Sequence, residues 1–202
     1  FQKTFTESSL DNLAKEALKT QTKWPQVVTT KITKGENSGR LTVDELLLPD
    51  NNPWQSWMRP GAFDFYNNGK SLAVSTWSGD VWLAQDITGE ELKWKRFEAG
   101  LFHPLGLKVV NEKIYVQCRD GIYILHDLNN DGEADYREVF NNDVLVTVNF
   151  HEFSFELHTD KAGNFYFVKG APVKAGGEGF DLITKHHGSL MKVSPDGKKL
   201  EV

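Results

Sequence analysis

FHPLGLKVVNEKIYVQCRDGIYILHDLNNDGEADYREVFN, residues 102–141, carries four strand signals in succession. GLKVV, KIYVQC, GIYILH and YREVFN are rich in β-branched and aromatic residues, while NE, RD and DLNNDGEAD supply the turn chemistry between them. Two other segments share this outline. RPGAFDFYNNGKSLAVSTWSGDVWLAQD (59–86) is completed by LKWKRFE (92–98), and FHEFSFELHTDKAGNFYFVKG (150–170) continues in HHGSLMKVSPDG (186–197). Phe63, Leu107 and Phe155 occupy equivalent places about 45 residues apart, as do Leu72, Ile114 and Phe165, which is the length of one β-propeller blade. Four strands per unit is also the blade pattern. The sequence therefore predicts an all-β, partial β-propeller with blades at about 59–99, 103–142 and 151–202. A sandwich with strands repeated by chance is the alternative, and the agreement of turns as well as strands favours the propeller. A closed propeller needs at least about four blades, so three units make only part of one.

Upstream, TESSLDNLAKEALKT (6–20) has Leu10, Leu13 and Leu18 at helical spacing behind a Ser8 or Ser9 cap, which predicts one short helix. VVTTKIT (27–33) and RLTVDELLL (40–48) read as two strands around the turn cluster GENSG. Residues 1–51 are thus a helix with lead-in strands and 52–202 the propeller portion. The chain opens at Phe1 without a signal-peptide pattern and reads as a processed or truncated one.

Composition narrows the function classes. Lys and Arg number 23 against 28 Asp and Glu, a formal charge of −5, with the cations scattered instead of striped. A nucleic-acid partner is therefore not expected. Aromatics make up 12% of the chain with only two Met, a bias toward pleated surfaces. The single Cys118 makes no internal disulfide, and there is no C-x-x-C-H for haem attachment. No phosphate loop, G-x-S-x-G elbow or H-E-x-x-H is present.

In a propeller the start of each innermost strand and the connection between the second and third strands line one axial mouth. Arg59, His103 and His151 occupy the first kind of place, each four residues before an equivalent apolar position, and Trp77, Arg119, Asp120 and Lys169 occupy the second. This set suits an anionic small molecule or cofactor. His151 stands out as a general base, with Glu152 beside it either orienting a neighbour or solvated. The third unit carries a Gly-rich insertion, 170–187, read as a lid. His186 and His187 at its end are metal-ligand candidates, although a loop His pair is more often not one.

DLNNDGEADYRE (127–138) has the full calcium-loop spacing: Asp127, Asn129, Asp131, the Glu133 carbonyl, Asp135 and Glu138, with Gly132 at position six. A strand precedes it, so it is no helix-flanked EF-hand. The expectation is a structural calcium site on the face opposite His151, and the alternative is an ordinary Asx-rich turn.

TWSGDVWLAQDI (76–87), LFHPLGLKVV (101–110), IYVQCRDGIYILHDLNNDGEADYREVFNND (114–143), the 150–170 string and HGSLMKVSPDGKK (187–199) resemble a known propeller. It belongs to the membrane-bound dehydrogenase (c-type cytochrome fusion) proteins of Planctomycetes, Verrucomicrobia and Bacteroidetes. That propeller is itself similar to the soluble quinoprotein glucose and sorbosone dehydrogenases. The resemblance implies that His151 removes the proton from a sugar or other small polyol while hydride passes to pyrroloquinoline quinone, PQQ. Taken with their axial placement, Arg59, His103, Arg119 and Lys169 are expected to face the cofactor or substrate; the resemblance also implies that a c-type cytochrome accepts the electrons and that the setting is periplasmic, on the outer-membrane surface or secreted. Two departures stand against it. Phe150 replaces the usual polar residue before the base, and the family's later cofactor contacts have no counterpart before Val202. These residues alone would not hold the quinone, and remaining blades or a partner chain would be needed for closure. A non-catalytic propeller that binds glycans or serves as a scaffold is the reading from a different class.

Overall fold

A computed structural model describes residues 22–147, 151–171 and 185–202. The helix expected over 6–20 and most of the 170–187 insertion lie outside them. Among the described residues every regular element is a strand, and no helix is long and apolar enough to cross a membrane.

The strands are β1 (Val27–Thr33), β2 (Glu45–Leu46), β3 (Pro60–Tyr66), β4 (Ser71–Thr76), β5 (Val81–Gln85), β6 (Glu91–Glu98), β7 (Gly106–Val110), β8 (Lys113–Cys118), β9 (Gly121–His126), β10 (Tyr136–Asn141), β11 (Ser154–Thr159), β12 (Phe165–Lys169), β13 (Ser189–Val193) and β14 (Leu200–Glu201). They form three consecutive antiparallel meanders, β3 to β6, β7 to β10 and β11 to β14. Each meander's first strand packs beside the next one's, β3 against β7 and β7 against β11. Consecutive four-stranded sheets arranged around a shared inner row are the blades of a partial β-propeller.

Alternation of side chains along each strand gives every blade two faces, and the core is the space between neighbouring blades. Ala73, Val81, Leu83 and Phe97 of the first blade meet Leu107, Ile114, Val116 and Leu125 of the second. Ile122 and Val144 of the second blade's side meet Leu157, Phe165, Phe167, Met191 and Val193 of the third. The outer face of the first blade buries Trp82 and Trp94 under Ile32, Leu46, Leu48, Trp54 and Met58.

The lead-in is joined to the first blade. β1 pairs along β6 from Val27 opposite Lys95 to Lys31 opposite Glu91, making that blade's sheet six strands wide. The expected 40–48 strand shrinks to Glu45–Leu46, because β1 offers it only Ile32 and Thr33 as partners while Leu41 and Val43 stay 87% and 80% exposed. A charged clamp secures the junction. The Glu133 carboxylate, in the turn before β10, accepts from the backbone N–H groups of Lys23 (2.6 Å) and Trp24 (2.8 Å) and from the Lys95 ammonium (2.6 Å).

Apolar faces remain open at both ends of the arc. Phe63 and Phe65 on β3 are 60% and 50% exposed over a groove of about 390 Å³ lined by Leu46, Leu72, Val74 and Trp94. On the third blade Phe155, Val168 and Leu190 sit side by side across β11, β12 and β13.

Close approach of the inner strands depends on Gly106. A Cβ there would strike the Glu156 carbonyl of β11 and the Gln117 side chain. Gly106→Ala is expected to destabilise the protein by at least about 1–3 kcal/mol, the usual cost of forcing extra carbon into a packed interior. Thermal denaturation checks this, with Gly39→Ala, which meets nothing within 4 Å, as the control.

Candidate functional site: the axial mouth

Each blade delivers groups to one end of the inner strands through the segment entering its first strand and the turn between its second and third. The first blade brings Arg59 and Trp77, the second His103 and Arg119, and the third His151, Glu152, Phe153 and Lys169. They meet through aromatic rings. Trp77 lies 5.2 Å from His103 and 4.8 Å from Phe153, and His103 lies 5.4 Å from Phe153. The Arg119 guanidinium covers Phe102 at 5.3 Å and Phe153 at 5.8 Å. Trp77, His103, Phe153 and Arg119 thus lie together at this end of the inner strands.

The centre of the cluster is Glu152, whose side chain is fully buried. One carboxylate oxygen accepts from the Thr147 N–H (2.9 Å) and hydroxyl (2.5 Å), and the other from His187 Nε2 (2.6 Å). Lys169 Nζ, equally buried, stands 3.5 Å from the carboxylate and donates to the Glu152 carbonyl (3.2 Å). Arg119 Nη2 is 4.0 Å from Glu152 and donates to the Thr147 carbonyl (3.2 Å). Burial by itself would raise the Glu152 pKa. The Thr147 hydroxyl, the His187 bond, the Thr147 N–H and the Lys169 charge together bring it below the ordinary value. Burial pulls the Lys169 pKa down against the pull of Glu152.

This changes the reading of several expected residues. Lys169 and Arg119, expected to face a cofactor, are buried and engaged with Glu152 and Thr147. His103 takes a left-handed backbone (φ 47°) inside the aromatic cluster, and burial, then Arg119, lowers its pKa, so it is neutral at pH 7. Of the expected contacts, Arg59 is the exposed cation. PQQ carries several carboxylates, and one open guanidinium does not match them, so the quinone does not fit these residues alone. His151 occupies the exposed turn before β11, its ring 6.5 Å from Phe153. His187 is the residue whose role was least legible: it reaches Glu152 from the far end of the insertion, a long-range contact that no local spacing encodes.

The 127–138 loop has half of a cation loop's form. Asp127 accepts from the N–H groups of Asp131 and Gly132, Asn129 from Asp131, Asp131 from Glu133, and Asp135 from Leu128 and Asn129. Gly132 supplies the φ of +82° that the tight turn requires. Glu138 instead lies 2.7 Å from His126 Nε2 on β9, and among the described residues no three acidic, imidazole or thiol groups converge as a metal site.

The shifts give the mouth a pH signature. Because the folded His103 pKa lies below its ordinary 6.5, the unfolded chain takes up that proton first, and stability falls as pH drops from 6.5 toward the folded value. Because the folded Glu152 pKa lies below 4.5, its stabilising contribution is complete above 4.5 and is lost as pH falls further. Thermal melts between pH 8 and pH 3 are expected to show the first loss below about 6.5, absent in His103→Phe, and a second below about 4.5. Wild-type and His103→Phe profiles of the same shape would remove the His103 assignment.

No family model matches this sequence, and no curated protein matches it. Among solved structures the chain is similar to a glucose dehydrogenase, with a TM-score of 0.48 and 15% identity over 69% of this chain and 48% of that one. The chain thus spans about half the length of that solved chain.

Proposed function

We propose that these three blades supply the proton-accepting side of a hydroxyl-oxidising site in a sugar or polyol dehydrogenase propeller. The carrying observation is the convergence of all three blades on one mouth, with the exposed His151 imidazole beside an aromatic and cationic wall. His151 takes the hydroxyl proton, Arg59 holds the substrate at the rim, and Glu152, through Thr147 and His187, holds the turn that carries His151. The hydride acceptor, PQQ by resemblance, requires groups other than these. The open apolar faces of the first and third blades support closure by further blades or a partner chain, since each matches in kind a face already buried between blades. A c-type cytochrome as final acceptor follows from the resemblance alone.

Dye-linked oxidation of sugars by the intact protein with added quinone tests this reading. Turnover supports it, whereas glycan binding without turnover would favour the binding-module alternative, which the burial of Arg119 and Lys169 against Glu152 also suits.

Calcium belongs to the same proposal. The Asp127, Asn129, Asp131 and Asp135 side chains and the Glu133 carbonyl would hold the ion, and Glu138 would have to leave His126 to join them. Calcium at about 100 times its Kd would add about 2.7 kcal/mol of stability. A melting temperature raised by calcium and lowered by chelation is expected, and a chelator without effect would remove the site.

A further inference from the structure

Arg59 is held in a way that its neighbours do not use up. Its backbone N–H donates to the Trp57 carbonyl (3.1 Å) and its carbonyl accepts from Trp77 (2.8 Å), while the Ser78 hydroxyl also donates to the Trp57 carbonyl (3.0 Å). The backbone around it is thus tied to the β4–β5 turn. The guanidinium lies 5.4 Å from the Trp57 ring and 4.7 Å from the Trp77 ring, braced between two indoles. Among the described residues no carboxylate or carbonyl accepts from it, and Asp80, after the β4–β5 turn, is already engaged by Arg96, Trp82 and Ser56. Stacking on aromatic faces leaves a guanidinium's in-plane N–H donors free and spares much of the rotamer entropy that binding would otherwise cost.

The surroundings favour an anion. Arg119 and Lys169 together carry one more charge than Glu152, which is buried between them, and Asp120 of the same mouth accepts from the Tyr123 hydroxyl (3.1 Å). This is a cationic rim on a chain whose formal charge is −5. Beside it Trp57 is 61% exposed and Phe102 44% exposed, flat apolar faces suited to the C–H face of a sugar ring.

We propose that Trp57, Arg59 and Trp77 form a carboxylate-reading subsite, so that the substrate of this mouth is an acidic sugar of the hexuronate type. This rests on the sugar-oxidising reading above and names its substrate class. A planar carboxylate takes two parallel N–H bonds from the Arg59 fork, and the pyranose ring lies on Trp57. A lysine keeps the charge but not the fork.

Isothermal titration of the intact protein with glucuronate, glucose and glucose 6-phosphate tests it without requiring turnover. Glucuronate is expected to bind at least about 10-fold more tightly than glucose, with Arg59→Lys and Trp57→Ala each weakening it about 10-fold or more. Glucose binding as tightly as glucuronate, glucose 6-phosphate binding more tightly than glucuronate, or Arg59→Lys binding as wild type would each overturn the subsite. The two proposals fail separately. Glucuronate binding that depends on Arg59 but is followed by no oxidation leaves the subsite and removes the dehydrogenase, while oxidation of neutral sugars without a uronate preference does the reverse.

Discussion

His151→Ala is expected to lower the rate of hydroxyl oxidation by the intact protein about 100- to 10,000-fold, the usual loss when a positioned general base is removed. The loss should appear in kcat with little change in KM, because the imidazole acts on the proton in transit and not on the bound sugar. Because His151 is exposed on the turn before β11, the melting temperature of the variant should stay near wild type. A variant that turns over at the wild-type rate would move the base elsewhere. His187, an imidazole aligned on a carboxylate at 2.6 Å, would then be the group to test next.

Glu152→Ala should fail for a different reason. The substitution leaves Lys169 fully buried without its counter-charge, takes the acceptor from Thr147 and His187, and removes the charge facing Arg119. Breaking a buried ion pair from one side costs about 3–5 kcal/mol. For a chain of this size that is a fall of about 6–20 °C in melting temperature. Glu152→Gln/Lys169→Met, which removes both charges at similar volume, should recover much of the loss, because replacing a buried pair by apolar groups is often neutral. Thermal or urea unfolding of the three proteins checks this. A single variant as stable as wild type, or a double variant no better than the single, would contradict the role given to Glu152.

The two substitutions separate chemistry from architecture at adjacent positions. That separation was only partly legible in FHEF. The sequence placed His151 at the start of an inner strand, which follows from the repeat, because blade geometry puts equivalent positions at the same end of the molecule. Burial of Glu152 was not legible, because it depends on partners at Thr147, Lys169 and His187 that reach it from three separate places in the chain.

The same distinction runs through the fold. VVTTKIT matches β1 residue for residue and YREVFN matches β10, since alternation and turn residues are local signals. That β1 would extend β6, with Trp94 Nε1 donating to the Thr30 hydroxyl at 2.9 Å, depended on a partner more than sixty positions away. The short β2 shows the limit of pattern from the other side: RLTVDELLL has strand composition, but composition without a partner edge leaves Leu41 and Val43 in water. The cation loop is intermediate. Its Asx side chains fold back as their spacing dictates, whereas Glu138, placed on a strand, meets His126 across the ladder.

Charge followed a similar course. Arg59, Arg119 and Lys169 look alike as cations at equivalent loop positions. Only packing distinguishes the two that neutralise Glu152 from the one braced open between Trp57 and Trp77.

A crystal structure of the intact protein soaked with an oxidisable sugar acid places these assignments against a bound ligand. The sugar is expected in the axial mouth, its carboxylate on the Arg59 guanidinium and a hydroxyl within about 3 Å of the His151 ring. A sugar bound elsewhere on the propeller, with the mouth left to solvent, would contradict the assignment of this mouth as the reacting site.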